Sequence, residues 1–407
     1  MSNNVSAPVD ALAVFGTPEF RRDPYPFLKW LRDNDPVHRT SKGYYLVSRH
    51  ADAEWVLRDP DQVFRTPDRD RLAEQFPEAV GYRAVELLLT SLPSLNAPVH
   101  TRIRKLVAQE FTPRRVSGLH EHIGLLADRH LDRLSSDEVV DLHAEFTRPF
   151  TLDVISDLLG VPEDVRGDLE PDASELASAL GSGSKSLLDK ADVHTARLER
   201  AFRDLIESSP PGTLISDLVR RRDEPGSDAL SDEELVAMMW ILWNVGFEGT
   251  AAAIEHGVRL LAANPDQGHW LRNGFDDATA FANEVLRHTG PQIFLGVSQI
   301  ATRDIVLGGK VIPVGAQVRP VLAAANRDPD VFADPDRFDP SRDTSASLVF
   351  GQGMHHCLGV FLARAEIAIA LSRLHQRFPA LAMAGEPTWA DTFTMRMPSR
   401  FPVVVVP

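Results

Sequence analysis

Residues Phe350-Gly351-Gln352-Gly353-Met354-His355-His356-Cys357-Leu358-Gly359 constrain this chain more than any other stretch. They hold its single cysteine, between glycines and histidines, ahead of an apolar run from Leu358 to Phe378. That run has helical period, with Leu358, Phe361, Leu362, Ala365 and Ile369 on one face. Two glycines make a tight loop whose backbone can approach another flat object closely. A thiol that opens a helix is biased towards thiolate by the helix amides. A thiolate held in such a loop is a good ligand for a haem iron. On these residues alone two other readings stay open: a small apolar core residue, or the nucleophile of a hydrolase with His355 or His356 as its base. One cysteine also excludes an intrachain disulfide and a cysteine-based structural zinc site.

The rest of the chain reads as one large, mainly helical domain over 1–407, with 1–20 as a flexible N-terminal segment. Helical patterns run from Val99 to about Leu286, punctuated by Thr112-Pro113, Gly160-Val161-Pro162, Ser209-Pro210-Pro211-Gly212 and Glu224-Pro225-Gly226. Ser231 and Glu234 form a capping box that opens an apolar helix expected to run from Leu235 to Glu255. Its most apolar part, Leu235 to Phe247, is too short to span a bilayer and reads as a core helix. After Pro291 short strands are expected at Val297–Ile300, Ile305–Leu307, Val311–Ile312 and Gln317–Leu322, and a last one at Phe401–Val406. Arg65 to Pro98 is weakly patterned, with a short helix at Ala79–Leu89, and is expected to form a mobile lid.

A net charge of −15 argues against binding nucleic acid or an anionic membrane. No basic segment followed by an apolar one opens the chain, so it is expected to be soluble and cytoplasmic.

The cysteine loop resembles the haem-binding loop of the cytochrome P450 family, F-G-x-G-x-H-x-C-x-G, at all six specified residues. Glu284-Val285-Leu286-Arg287 is similar to that family's ExxR. Phe332-Ala333-Asp334-Pro335-Asp336-Arg337-Phe338-Asp339 is similar to its meander, and His100-Thr101-Arg102-Ile103-Arg104 to its H-T-R-x-R. The resemblance implies the mostly α P450 fold, a helical bundle around haem with a small β-rich region. It implies haem b (iron protoporphyrin IX) with Cys357 as axial thiolate and metal ligand, and His100, Arg104 and His355 on the propionates. His100 and Arg104, four apart, share a helix face. Glu284, Arg287 and Arg337 would form a buried charge network behind the haem.

Two departures stand out. Gln299 occupies a position where the family usually carries an arginine for a propionate. In the apolar helix, Val245-Gly246-Phe247-Glu248-Gly249-Thr250 departs from [A/G]-G-x-[D/E]-T, with Gly249 where the alcohol belongs and Thr250 one place late. Gly246 and Gly249, three apart, would line one face and open space beside the haem. Glu248, Gly249 and Thr250 are thus the candidate catalytic positions.

The implied activity is a monooxygenase that inserts one oxygen atom of O2 into a C–H or C=C bond of an apolar organic substrate and releases the other as water, with secondary-metabolite tailoring as the expected role. By motif register the pocket takes Ile241, Asn244, Val245, Phe294, Leu295, Phe393 and Met395. No flavin or nicotinamide fingerprint is present, so electrons are expected from a ferredoxin and its NAD(P)H-dependent reductase. Arg102, Lys105, Arg114, Arg115 and Arg364 are a candidate docking patch. The rivals are a peroxide-using or rearranging haem-thiolate enzyme, favoured by Gly249, and a non-catalytic recruitment or haem-sensing domain.

Overall fold

The computed structural model describes residues 10–75, 77–134, 138–169, 185–224, 229–392 and 394–406. Helices build most of it, around a core in which the Val360–Arg377 helix is central. That helix packs against the helices His120–Leu131, Glu248–Ala263 and Phe275–Thr289. It is Leu362, Ala365, Ile369 and their neighbours that it buries, whereas Phe361 turns outward at 39% exposure. The helix begins at Val360, so Cys357 stands three residues ahead of it, in the turn, with its own N–H bonded to the carbonyl of Phe350 at 2.9 Å.

The β-rich region is a five-stranded sheet ordered Val37–Arg39, Tyr45–Val47, Gln317–Pro320, Gln299–Ala301 and Phe64–Arg65. Tyr45 pairs with Val318 in its parallel step, and Gln299 with the same Val318 in the antiparallel one. A hairpin, Ile305–Leu307 with Lys310–Ile312, turns on Gly308 and Gly309, both at positive φ, as a two-residue loop requires. A second sheet joins Val139–Asp141, Pro402–Val404 and Ala382–Met383.

Three boundaries differ from the sequence reading. Residues 11–20 are not a free tail: helices Ala11–Phe15 and Pro18–Arg22 bury Ala11, Phe15 and Phe20 against Leu28, Leu31 and Phe294. In the 65–98 stretch the helix spans Arg83–Thr90, and Arg83 is held by a bidentate pair with Glu199 at 2.8 Å. The apolar helix is two helices, Asp232–Val245 and Glu248–Ala263, broken at Gly246-Phe247. The first begins on the expected Ser231–Glu234 capping box. Together, 232–263 have the length and hydropathy of a membrane span, but 72% of the apolar window is buried within the protein, as suits a pair of core helices.

Candidate functional site

The loop before Cys357 is shaped by two glycines. Gly351 and Gly353 have φ of 69° and 68°, and a Cβ on Gly353 would lie 2.5 Å from the carbonyl oxygen of Leu57. Both positive φ values favour glycine, and at Gly353 the close approach leaves no room for a side chain and seats the loop on the His50–Arg58 helix. A Cβ on Gly359, by contrast, would meet nothing within 4 Å. Burial pushes the Cys357 thiol upward, opposed by a hydrogen bond from the Gly359 amide and by the charges of Arg104 and Arg364.

Near that thiol gather polar groups that lack partners or carry no counter-charge among the described residues. The rings of His100 and His355 stand edge to face, 4.6 Å between centroids. Both nitrogens of His100 and Nδ1 of His355 are buried without a hydrogen bond. Each ring is held near a pKa of about 4 by burial first, with neighbouring positive charge adding to it. Arg104 bonds the His356 carbonyl at 2.6 Å and has no carboxylate partner among the described residues. Buried donors without acceptors are costly in a native protein. Two imidazoles and a guanidinium gathered at one thiol suit a flat, dianionic, metal-bearing group. The residues therefore fit an iron porphyrin: sulfur for the metal, His100, Arg104 and His355 for its carboxylates. Gln299 brings no charge, and Arg319, beyond its strand partner, donates instead to the carbonyls of Leu295 and Gly296 at 3.2 and 3.1 Å.

Behind this site lies a buried charge network, and its third member is Arg342. Glu284 and Arg287 are wholly buried and joined by two bonds of 2.7 Å. The Nε of Arg342 lies 3.4 Å from Oε1 of Glu284. Arg337 contributes only its carbonyl, which accepts from Arg287 and Arg342, while its side chain is 67% exposed beside Asp339. The assignment of Arg337 to the network is thereby corrected. Arg337 precedes Phe338, which the chain must bury, and the tight turn through 334–339 then sends its neighbour outward.

On the other side stands the helix break. Gly246 is a packing residue, since a Cβ there would lie 2.8 Å from Ile155. It therefore does not line open space together with Gly249. A Cβ on Gly249 meets one neighbour, the Met395 methyl at 3.5 Å. Glu248 opens the second helix, and its carboxyl is pushed up to about 7 by burial, with Arg148 and His143 pulling the other way. Thr250 is buried. Of the expected pocket, Val245 is 60% exposed at the break, Ile241 is buried beside it, and Asn244 gives its amide to the Trp240 carbonyl, leaving Oδ1 unpaired.

Phe294 does not belong to this set: it stacks on Phe15, 5.7 Å away, within the N-terminal cluster. Leu295 packs against a small cluster with Leu57 and Leu348. Phe393 lies outside the described residues. Arg396, next to Met395 in the chain, is held from three directions. The amide of Arg396 bonds the Pro291 carbonyl at 2.7 Å, and His256 Nε2 donates to the Arg396 carbonyl at 3.0 Å. The Arg396 guanidinium lies 4.0 Å over Trp389 and donates to the carbonyls of Arg21 and Arg22.

The cationic patch is thinner than its sequence. Arg102 is paired with Glu234, and Arg115 with Glu110 and Asp217. Arg364 leans over Phe350, 5.3 Å from its centroid, while Lys105 and Arg114 are exposed.

A family model described as Cytochrome P450 matches residues 276–398. Among curated proteins, cytochrome P450 BJ-3 of Bradyrhizobium diazoefficiens is 40% identical over 97% of this chain and 96% of its own. The vitamin D(3) 25-hydroxylase of Pseudonocardia autotrophica is 35% identical over 95% of each. Among solved structures, epothilone B-bound cytochrome P450epoK superposes with a TM-score of 0.88 at 27% identity, over 97% of this chain and 99% of that one.

Proposed function

Because the chain belongs to the cytochrome P450 family and is a monooxygenase with a haem-thiolate cofactor, we propose that it oxygenates a bulky apolar secondary metabolite, with haem b held by Cys357, His100, Arg104 and His355. The carrying observation is the meeting of the unpartnered His100 and His355 nitrogens with Arg104, which has no carboxylate partner among the described residues, beside the only cysteine. When bound, the haem activates O2.

The chain's own residues bind, orient and move protons. Arg104 would bring positive charge to the carboxylates of the cofactor, and His100 and His355 would donate hydrogen bonds to them. Ile241, Val245 and Met395 give an apolar wall, and Oδ1 of Asn244 is an unpaired acceptor for one substrate hydroxyl. Glu248, its carboxyl pushed up to about 7, can hold and release a proton near neutral pH, which suits a group that feeds protons inward. Gly249 supplies no hydroxyl at the next position. A polar group of the bound substrate, or an ordered water, completes proton delivery there. The two relatives act on or hold large, largely apolar compounds by their names, vitamin D(3) and epothilone B, which supports the same substrate class here. Electrons come from a ferredoxin and its NAD(P)H-dependent reductase in the cytoplasm.

The test is a screen of such compounds by the Soret shift on binding, followed by turnover with a ferredoxin and reductase. Product carrying one atom of 18O from 18O2 is the expected result. Full activity with hydrogen peroxide, and none with reduced ferredoxin, would replace this reading by a peroxide-using enzyme.

A further inference from the structure

Glu248 and Glu255 are seven residues apart on one helix, two turns along nearly the same face. Ala251 and Ala252 lie between them and add no polar group. The surface facing this stripe begins with a π-helical turn, His143–Thr147, that runs into the Arg148–Leu159 helix. Such wide turns are uncommon and recur at functional sites. This one sets two side chains on Glu255. His143 Nδ1 lies 2.9 Å from Oε1, and the Thr147 hydroxyl donates to the same oxygen. Glu255 is wholly buried, and its Oε2 has no partner. His143 retains 22% exposure on its side chain, so it touches both the solvent and the buried acid.

Glu248 itself makes no ion pair or hydrogen bond among the described residues. The charges that face it are Arg148 and His143. Those that face Glu255 are His143 and Asp141, and His143 in turn senses Glu255, Arg148 and Asp141. Arg148 keeps its charge at any working pH. Among the described residues that face Glu248, His143 is the one whose charge can change, and Glu255 is its hydrogen-bonded partner.

We propose that His143 and Glu255 are positioning residues for proton delivery: Glu255 anchors a charged imidazole opposite Glu248, and that charge governs how readily Glu248 gives up its proton. The inference rests on Glu248 being the proton-delivering acid. Burial works against charge on His143, but the bond to Glu255 outweighs it and raises its pKa. When the imidazole carries its proton, its charge eases ionisation of Glu248. Once it loses its proton, Glu248 holds its own more tightly. A pair that merely ties the 143–147 turn to the helix would have no such effect.

The experiment titrates the infrared band of the Glu248 carboxylic acid in the haem-loaded protein, identified by its loss in Glu248→Gln. In parallel it measures product formed per NAD(P)H against pH. His143→Gln and Glu255→Gln should each move the Glu248 midpoint upward, and the double variant should move it no further than either alone, because each single change already breaks the pair. His143→Lys, which retains the charge, should bring the midpoint back to the parent value or below. The alkaline limb of the coupling profile should follow the midpoint in every variant. An unmoved midpoint in folded His143→Gln, with only a lowered melting temperature, overturns the proposal. Should Glu255→Gln not load haem, the His143 pair of variants decides alone. Unaltered coupling in Glu248→Gln would instead overturn the role given to Glu248, whatever its midpoint does.

Discussion

The Cβ that Gly249 lacks would stand 3.5 Å from the terminal methyl of Met395, an ordinary van der Waals distance. The two residues therefore face each other across a gap about one methyl group wide, at the position where an alcohol would be expected. Gly249→Ala should fold without strain, and gains up to about 1 kcal/mol from helix propensity. It should weaken binding of a bulky substrate while leaving stability equal or higher. Thermal unfolding and Soret titration of the one variant check both halves. If the substrate completes proton delivery, an analogue without the nearby hydroxyl should bind yet yield less product per NAD(P)H. Equal coupling for both compounds would assign that task to a water or Thr250.

Cys357→Ser should retain part of its haem through His100, Arg104 and His355. It should lose the red-shifted ferrous-carbonyl Soret band that marks thiolate ligation. The spectrum of the reduced, carbon monoxide-treated variant reports this directly, and an unchanged band would remove Cys357 as the ligand.

Breaking the Glu284 network leaves a buried charge uncompensated, at a cost of roughly 3–5 kcal/mol. Glu284→Gln, Arg287→Ala and Arg342→Ala should each lower haem-loaded soluble protein, with non-additive double variants. Arg337→Ala should stay within about 0.5 kcal/mol of the parent, as expected of an exposed side chain. Denaturant unfolding of the four variants separates the two arginines.

Glu248 also leaves a mark on stability against pH. Its folded carboxyl titrates at about 7 against an ordinary 4.5, through burial. Between those values the folded protein keeps a proton that the unfolded chain has released, so stability falls as pH rises through the window. The full effect is about 3 kcal/mol at 1.36 kcal/mol per unit. Glu248→Gln should flatten the dependence between pH 4.5 and 7, read by thermal melts across that range.

What the sequence discloses here is what short-range chemistry dictates. The Gly351 and Gly353 turns, the Ser231 capping box and the His100–Arg104 face are set by neighbours in the chain, so motif and spacing find them. The departures come from distant packing. Ile155 packs against Gly246 at the helix break, Phe294 stacks on Phe15, and Arg342 rather than Arg337 reaches Glu284 while Phe338 is buried. His143 and Glu255, 112 residues apart, meet only in the fold. The one signal available was Glu255 itself, a charged residue within Ala251–Leu261, where a core helix has no reason to carry an acid without a partner.

The grip of Arg396 on the carbonyls of Arg21 and Arg22 ties the first helices to the segment that carries Met395. Met395 stands next to that guanidinium in the chain, so a shift of the Pro18–Arg22 helix is carried across one peptide bond to the wall opposite Gly249. With Met395 in the substrate wall, as proposed, sequence change near the amino end is then a route to altered regioselectivity that leaves every proposed pocket residue untouched. Libraries confined to the residues around the haem would never sample it.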